Sequence, residues 1–317
     1  MQALIGLLLL AAVQSPRGSV RGDAFFAPSL GVEKHFMVYL PPSYDTNRSA
    51  RYPVAYYLHG LSGTETDWLS RAAIDAVADS LIGAGSPEMI IVMPDGDDSW
   101  YSSAGNPMPY ATCRDSIRSE SAERGCVKSS RYDDYIARDL VRYVDAHYRT
   151  LADRAHRGIG GLSMGGYGAI KLALQYPDVF AAAASHSGVL SPRLIGPSPF
   201  ALPPQYAASA DTLLRLKLPG PTVNGRDLSV WLDNDPAILA SRLEKTGHSM
   251  PAIYMDVGTS DPFRHENQAF DFELHRLGIR HEYHEYPGTH NWRFWSTHVP
   301  QSLAWMLSII GSGNSRP

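Results

Sequence analysis

The stretch Gly158-Ile159-Gly160-Gly161-Leu162-Ser163-Met164-Gly165-Gly166-Tyr167-Gly168 decides the fold. Its middle fits the pattern G-x-S-x-G, in which a strand ends, reverses through a strained serine and enters a helix. Glycines on both sides of Ser163 leave room for that backbone, because a Cβ there would collide with the neighbouring strand or helix. The flanking sequence agrees, since residues 155–161 predict a strand and residues 167–176 predict a helix. We therefore expect the Ser163 hydroxyl at the carboxyl end of a sheet strand, where ligands bind in open α/β folds.

The composition describes an ordinary soluble globular protein and excludes several classes. The 317 residues, 44% hydrophobic and 19% charged, suit one large α/β domain with a sizeable core. A net charge of −4 offers no basic surface for nucleic acid. No internal stretch is long and apolar enough to predict stable membrane insertion.

Apolar runs alternate with amphipathic segments along the chain. The run at 53–59 is apolar on both faces, which is typical of a central strand covered on both sides. This alternation predicts an α/β fold with a mostly parallel central sheet and helices on both faces. The predicted strands are 35–40, 53–59, 89–93, 155–161, 179–185, 252–257 and 281–286. The predicted helices are 67–82, 132–148, 167–176, 267–277, a short turn at 292–298, and a last helix that starts at Pro300 and runs to about 310.

Two polar segments interrupt this order. Residues 97–130 predict a loop, and residues 191–235, rich in Pro and without sustained periodicity, predict a lid or binding insertion. The first segment holds the two cysteines, Cys113 and Cys126. In an oxidising compartment they could close a loop of about a dozen residues, stabilising the fold by about 3 kcal/mol, and otherwise they are unrelated thiols.

The amino-terminal segment differs from the rest. Residues 3–13 have the length of a signal-peptide core, although no Lys or Arg precedes them. We expect a signal peptide at 1–20, a single domain at 24–311, a disordered tail at 312–317, and a secreted or periplasmic protein. A buried amino-terminal helix or a wrongly chosen start codon is the alternative interpretation.

A serine hydroxyl is a weak nucleophile and needs a base, which a third group must orient. In G-x-S-x-G folds the partners follow in the order Ser, Asp or Glu, His, on loops after later strands. The acid is predicted to be Asp261, just past the strand at 252–257. Asp256 lies inside the strand pattern and Asp271 lies on the next helix, so both are weaker candidates.

For the base we predict His290, which follows the last strand within Pro287-Gly288-Thr289-His290-Asn291-Trp292. Other histidines are expected to be packed or exposed: His281 and His284 on the strand, His298 before the final helix, and His186 before the acid in the chain.

The oxyanion of a tetrahedral intermediate needs backbone donors, for which we predict the amides of Leu61 and Met164. His59, beside Leu61, is expected to shape the loop.

The sequence resembles the esterase D and S-formylglutathione hydrolase-like family of α/β-hydrolases over roughly residues 33–307. That family also holds feruloyl, acetyl and siderophore esterases and secreted mycolyltransferases. The matching segments are Tyr39-Leu40-Pro41-Pro42, Tyr57-Leu58-His59-Gly60, Asp67-Trp68, Met93-Pro94-Asp95-Gly96, Ser99-Trp100-Tyr101, the Ser163 stretch, Pro177-Asp178-Val179-Phe180, Ser185-His186-Ser187-Gly188 and Thr289-His290-Asn291-Trp292.

The resemblance implies the same residues: Ser163, Asp261 and His290 as triad, with Leu61 and Met164 as oxyanion donors. We expect a serine carboxylic-ester hydrolase acting on short-chain acyl, acetylated-sugar or feruloyl-type esters, with Trp292 against the substrate. No metal or cofactor is expected. The alternatives are an acyltransferase that uses a sugar hydroxyl and a non-catalytic binding protein on the same fold. The sequence does not predict the oligomeric state.

Overall fold

The computed structural model describes residues 17–103, 109–116, 121–122, 126–197, 199–216 and 225–312. Eight strands form its central sheet, and two short strands pair separately. The central strands are β1 (Ser19–Ala27), β2 (Val32–Leu40), β3 (Val54–Leu58), β4 (Ile90–Pro94), β5 (Arg157–Leu162), β6 (Ala182–His186), β9 (Ala252–Gly258) and β10 (Glu282–Tyr286). The separate pair is β7 (Leu194–Gly196) and β8 (Gln205–Tyr206).

The spatial order of the sheet is β1-β2-β4-β3-β5-β6-β9-β10. β2 pairs antiparallel with both β1 and β4, whereas every other neighbouring pair is parallel. The carboxyl ends of β3, β5, β6, β9 and β10 therefore meet at one edge of the sheet. This arrangement confirms the predicted α/β fold and mostly parallel sheet.

Helices cover both faces. They are α1 (Asp67–Ala72), α2 (Ile74–Gly83), α3 (Tyr110–Ser116), α4 (132–147), α5 (Met164–Gln175), α6 (Ala210–Leu216), α7 (Leu228–Asp233), α8 (Pro236–Glu244), α9 (Arg264–Arg276) and α10 (Trp292–Ile310). One apolar core lies under α4, α5, α8 and α9, and a second lies under α1, α2 and α10. Successive β3 residues alternate between them, with Tyr56 in the first and Tyr57 in the second. Among the helices of the described residues, none combines the length and apolar character that crossing a membrane requires.

The first strand begins before the predicted domain start at residue 24. β1 begins at Ser19 and pairs with β2 from Ser19 opposite Leu40 onward. The Gly18 amide also donates a hydrogen bond of 2.8 Å to Asp79. The end of the predicted signal peptide thus overlaps an ordered strand, while its residues 1–16 lie outside the described part of the chain. Of the predicted tail, Ser312 is described and its hydroxyl donates to the carbonyl of Ser308, while 313–317 lie outside.

Three predicted helix boundaries are also wrong. The helix expected at 67–82 is two helices, because Ala73 between them adopts the left-handed conformation with φ 48°. The helix after Ser163 begins at once with Met164 rather than at residue 167. α10 runs without interruption through Pro300. Trp295 before this proline and Leu303 after it both pack in the same core, and that packing offsets the missing backbone hydrogen bond.

The two polar segments have more structure than the sequence indicated. The segment 97–130, expected as a loop, contains α3, and the structure joins Cys113 to Cys126 by a disulfide. The segment 191–235 contains β7, β8, α6 and α7, and a small core that includes Leu213 and the buried Trp231 joins α6 to α7. Its elements are short, so sequence periodicity does not detect them.

Candidate active site

Ser163 lies in the sharp turn that the sequence predicted. Its φ of 53° and ψ of −118° are unfavourable for a residue with a side chain, so the surrounding structure must hold the turn in place. β5 ends one residue before it and α5 begins one residue after it. The Ser163 amide donates a hydrogen bond of 2.9 Å to the carbonyl of His186 at the end of β6. The serine is thus fixed at the carboxyl edge of the sheet.

The glycines around Ser163 are required by close backbone contacts. A Cβ on Gly161 would lie 2.5 Å from the carbonyl carbon of Gly165. A Cβ on Gly165 would lie 2.3 Å from the carbonyl oxygen of Leu58, which ends β3. Both clashes involve main-chain atoms, so a side chain could enter only if the strand or the helix moved.

His290 and Asp261 approach Ser163 from the loops that follow β10 and β9. The Nε2 atom of His290 lies 2.9 Å from the Ser163 hydroxyl oxygen. On the other side of the ring, Nδ1 lies 3.0 Å and 3.2 Å from the two carboxylate oxygens of Asp261. A carboxylate only accepts hydrogen bonds, so Nδ1 donates and Nε2 is left to accept from the hydroxyl. The structure therefore joins the three predicted residues in one hydrogen-bonded series.

Backbone contacts between the loops after β9 and β10 set this spacing. The Ser260 amide donates to the Gly288 carbonyl at 2.9 Å, and the Thr259 amide donates to Tyr286 at 2.8 Å. The Asp261 side chain is fully buried and its carboxylate also accepts the Phe263 amide at 2.8 Å, whereas the His290 side chain is 22% exposed. The acid is held rigidly while the imidazole faces the solvent-accessible side.

His186 and Asp256, the alternative candidates for base and acid, belong to a second, buried series of hydrogen bonds. His186 Nδ1 lies 2.8 Å from Asp256, and His186 Nε2 lies 2.8 Å from the hydroxyl of Ser302 on α10. All three residues are completely buried. A serine without access to solvent cannot meet a substrate, so this series ties β6, β9 and α10 together instead of competing for the chemistry.

The remaining rivals lie away from Ser163. The ring of His298 stacks on Tyr286 with centroids 4.2 Å apart. His281 pairs with Asp271, whose side chain is half-buried on α9. His281 itself precedes β10 instead of lying on it, while His284 lies within β10.

The loop after β3 lies against the serine turn. A Cβ built on Gly60 would lie 3.5 Å from the Ser163 Cβ, and the following residue, Leu61, lines the cavity in front of the serine. His59 is buried and its ring shapes this loop, since Nδ1 lies 2.8 Å from the Gly60 carbonyl and Nε2 accepts the Gly96 amide at 2.9 Å. Met164, the other predicted donor, is the first residue of α5.

A buried group of charges beneath this loop was missed by sequence reasoning. The Lys34 ammonium on β2 lies 2.9 Å from Asp95 and 2.8 Å from Asp97, in the turn after β4. Burial alone would raise the pKa of Asp95, but the Lys34 ammonium beside it holds that pKa below its usual range. The ionised Asp95 thereby fixes the turn against which His59 packs. The sequence gives little signal for this group, because Lys34 lies between the polar residues Glu33 and His35 in the first half of β2.

The cavity in front of Ser163 has a volume of about 710 Å³, which lies in the range of small-molecule sites. Aromatic rings and two carboxylates line it alongside Ser163 and His290. The aromatic residues are Trp100, Phe263, Trp292 and Trp295, and the acidic residues are Asp67 and Glu266. The sequence pointed to Trp292 but gave no sign of Phe263, whose ring meets the His290 ring edge-on at 5.0 Å.

Comparison with known proteins points to a family. The model of the family described as "Putative esterase" matches residues 27–306. An esterase of Mycobacterium tuberculosis is 32% identical over 286 residues, covering 85% of this chain and 55% of that relative. The acetyl esterase of Caldicellulosiruptor saccharolyticus is 24% identical over 254 residues, with 80% and 83% coverage. The chain thus spans about half the length of the mycobacterial relative.

Solved structures share the fold. A ferulic acid esterase superposes with a TM-score of 0.69 at 24% identity, covering 93% of this chain and 99% of that one. The S-formylglutathione hydrolase of Staphylococcus aureus superposes with a TM-score of 0.65 at 23% identity, with 93% and 98% coverage. At this level of identity the likeness concerns the fold alone.

Proposed function

This chain belongs to the esterase family that its residues 27–306 match, and from that membership we propose that it is a serine carboxylic-ester hydrolase working through an acyl-enzyme. The observation that carries the proposal is the series Ser163–His290–Asp261, with contacts of 2.9 Å and 3.0 Å, opening into an aromatic cavity. A hydroxyl, a base and a buried acid in this geometry are what acyl transfer needs.

In the proposed first half-reaction, the Ser163 oxygen attacks the ester carbonyl while His290 Nε2 takes its proton. The Asp261 carboxylate orients the ring and stabilises the imidazolium. The amides of Leu61 and Met164 donate to the oxyanion. As the carbon–oxygen bond breaks, His290 gives the proton to the leaving alcohol, and Ser163 carries the acyl group.

In the second half-reaction, His290 takes a proton from water as the water oxygen attacks the acyl carbonyl. The tetrahedral intermediate collapses, the Ser163 oxygen leaves and recovers the proton, and the carboxylic acid departs. No group other than these side chains and amides is needed for either step.

We further propose that the substrates are esters of short acyl chains, acetylated sugars or feruloyl-type acids. The volume and aromatic lining of the cavity favour a flat or cyclic group, and Trp292 is the candidate contact. Its ring meets Trp295 edge-on at 5.4 Å and carries the Arg71 guanidinium at 5.6 Å, so its position is fixed before substrate arrives.

Export from the cytoplasm is a further part of the proposal. The Cys113–Cys126 disulfide supports it, because such bonds persist in oxidising compartments. Detection of the processed chain outside the cytoplasmic fraction would test it, and an unprocessed chain found only in the cytoplasm would contradict it.

The second candidate function is acyl transfer to an alcohol. The partly exposed His290 side chain and the cavity that it lines support this alternative, since they leave room for an alcohol beside the base. The test is hydrolysis of p-nitrophenyl esters of increasing chain length, with methyl ferulate and acetylated xylo-oligosaccharide beside them, with and without an added sugar. We expect free acid as the main product in both conditions. Predominant sugar ester would establish the transferase, and no turnover of any ester would favour a binding protein.

A further inference from the structure

One group of metal-ligating side chains lies far from Ser163. Among the residues that the structure describes, Asp271, His275 and His281 form the group of three whose ligand atoms all lie within 4.8 Å of one another. Asp271 and His275 are one turn apart on α9, and His281 directly precedes β10. His290 follows the opposite end of β10, so this Asp271 cluster is at the other edge of the sheet.

His281 is oriented as a ligand. Its side chain is 2% exposed, and its Nδ1 lies 2.9 Å from the carbonyl oxygen of Ile279. A carbonyl only accepts, so Nδ1 carries a proton and Nε2 is the atom left for the cluster, 2.8 Å from Asp271 Oδ1. Metal-binding histidines usually donate a hydrogen bond from their second ring nitrogen to a carbonyl or carboxylate, which orients the ring.

The spacing of the ligand atoms fits a small divalent ion. His275 Nδ1 lies 3.3 Å from the same Asp271 oxygen that His281 approaches, and to bind an ion it must give up its 3.0 Å hydrogen bond to the backbone carbonyl of Asp271. Bonds of about 2.0–2.1 Å in tetrahedral geometry place ligand atoms about 3.3 Å apart. The His275 side chain is 71% exposed, so its ring can adjust without disturbing the core. The two imidazole rings already meet edge-on at 4.7 Å.

Space for a further ligand lies beside the cluster. A surface cavity of about 330 Å³ is lined by His275, Gly278, Ile279, Arg280 and His281. A water molecule could enter there as the fourth ligand of a tetrahedral ion. Arg280 adds positive charge to this cavity, which the Asp271 carboxylate must offset.

We propose that Asp271, His275 and His281 bind one Zn²⁺ ion. Two imidazoles and a carboxylate are a ligand set that suits Zn²⁺ and the neighbouring transition metals, not Ca²⁺ or Mg²⁺. The ion links the last turn of α9 to the start of β10. Asp261 comes just before α9 and His290 just after β10, so the ion stiffens the unit that carries the proposed acid and base. The zinc proposal does not rest on the proposed esterase function.

The test uses the full chain without a histidine tag. Zn²⁺ is titrated calorimetrically, Co²⁺ is followed by its visible absorption, and the melting temperature is measured with and without Zn²⁺. We expect one ion per chain, a tetrahedral Co²⁺ spectrum and a higher melting temperature with Zn²⁺. His275→Ala, at an exposed side chain, is expected to fold normally and to weaken binding at least about 10–100-fold.

The matched control is His284→Ala, since His284 lies on β10 outside the cluster and is 37% exposed. It is expected to bind Zn²⁺ as the unaltered chain does. Equal affinity in the unaltered chain and His275→Ala, or an equal loss in His284→Ala, would overturn the proposal. Absence of binding to the unaltered chain would overturn it as well, and would leave ester hydrolysis by Ser163 unaffected.

Discussion

His290 Nε2 lies 2.9 Å from the Ser163 oxygen, although 127 positions separate the two residues in the chain. The contact depends on the order of the strands, because β5 and β10 both end at the same edge of the sheet. Asp261, between them in the chain, reaches the far side of the imidazole from the loop after β9. The proposed function depends on this hydrogen-bonded series.

Asp261→Asn is expected to lower kcat by about 10⁴-fold with little change in fold. The asparagine amide can donate a hydrogen bond to His290 Nδ1, so the imidazole proton then lies on Nε2. A protonated Nε2 cannot accept the proton of the Ser163 hydroxyl. The measurement is kcat for a p-nitrophenyl ester. Asp178→Asn, at an exposed carboxylate, is the control and should keep full activity. Equal kcat in the two variants would contradict the role of Asp261.

Ser302→Ala is expected to lower stability while leaving kcat unchanged, the opposite of Asp261→Asn. It removes the partner of His186 Nε2 in the buried series, and an unsatisfied buried group costs about 1–3 kcal/mol of stability. Ser302 is not in the cavity, so kcat should remain near that of the unaltered chain. Chemical denaturation and ester hydrolysis of the same preparation check both parts. A large loss of kcat at unchanged stability would mean that this second series takes part in the reaction.

Gly165→Ala is expected to lower stability by about 1–3 kcal/mol or more and to abolish turnover. The new Cβ would lie 2.3 Å from the Leu58 carbonyl oxygen, so β3 or α5 must move, and the loop that carries Leu61 moves with β3. Gly22→Ala on β1 is the control, because its Cβ would lie 3.5 Å from the Met37 sulfur. It should leave stability within about 0.5 kcal/mol. An active, stable Gly165→Ala would show that the turn tolerates a side chain.

Lys171→Met tests a buried charge on α5, the helix that follows Ser163. The Lys171 side chain is fully buried on α5, and burial lowers its pKa from 10.5 to about 8. Below about pH 8 the lysine is charged in both the folded and the unfolded chain, so burial of the charge destabilises the folded state fully. Between pH 8 and 10.5 the folded chain releases a proton that the unfolded chain keeps, so stability rises with pH.

At pH 7 the methionine variant is therefore expected to be more stable by about 1–4 kcal/mol. Asn234 keeps the Ser102 hydroxyl as a donor after Lys171 is removed. Denaturation at pH 7 and at pH 10 should show this difference shrinking as the pH rises. A variant less stable than the unaltered chain at pH 7 would mean that the Lys171–Asn234 hydrogen bond outweighs desolvation.

The positions of Ser163, Asp261 and His290 could be predicted because the requirement is local. Each must follow a strand of the parallel part of the sheet, and the order along the chain excludes most alternatives. The contacts of Lys34 with Asp95 could not be predicted in this way, because they depend on β2 lying next to β4 rather than β3. Likewise, sequence periodicity gave no warning that α10 continues through Pro300, since only tertiary packing offsets the lost hydrogen bond.

The most direct test of the central claim is to react the protein with a fluorophosphonate, locate the adduct by peptide mass spectrometry, and measure turnover of Ser163→Ala. We expect a single adduct on Ser163 that blocks hydrolysis, and a fall in kcat of about 10⁶-fold in a variant that unfolds like the unaltered chain. An adduct on another residue, or a Ser163→Ala protein that hydrolyses esters at the unaltered rate, would contradict the account.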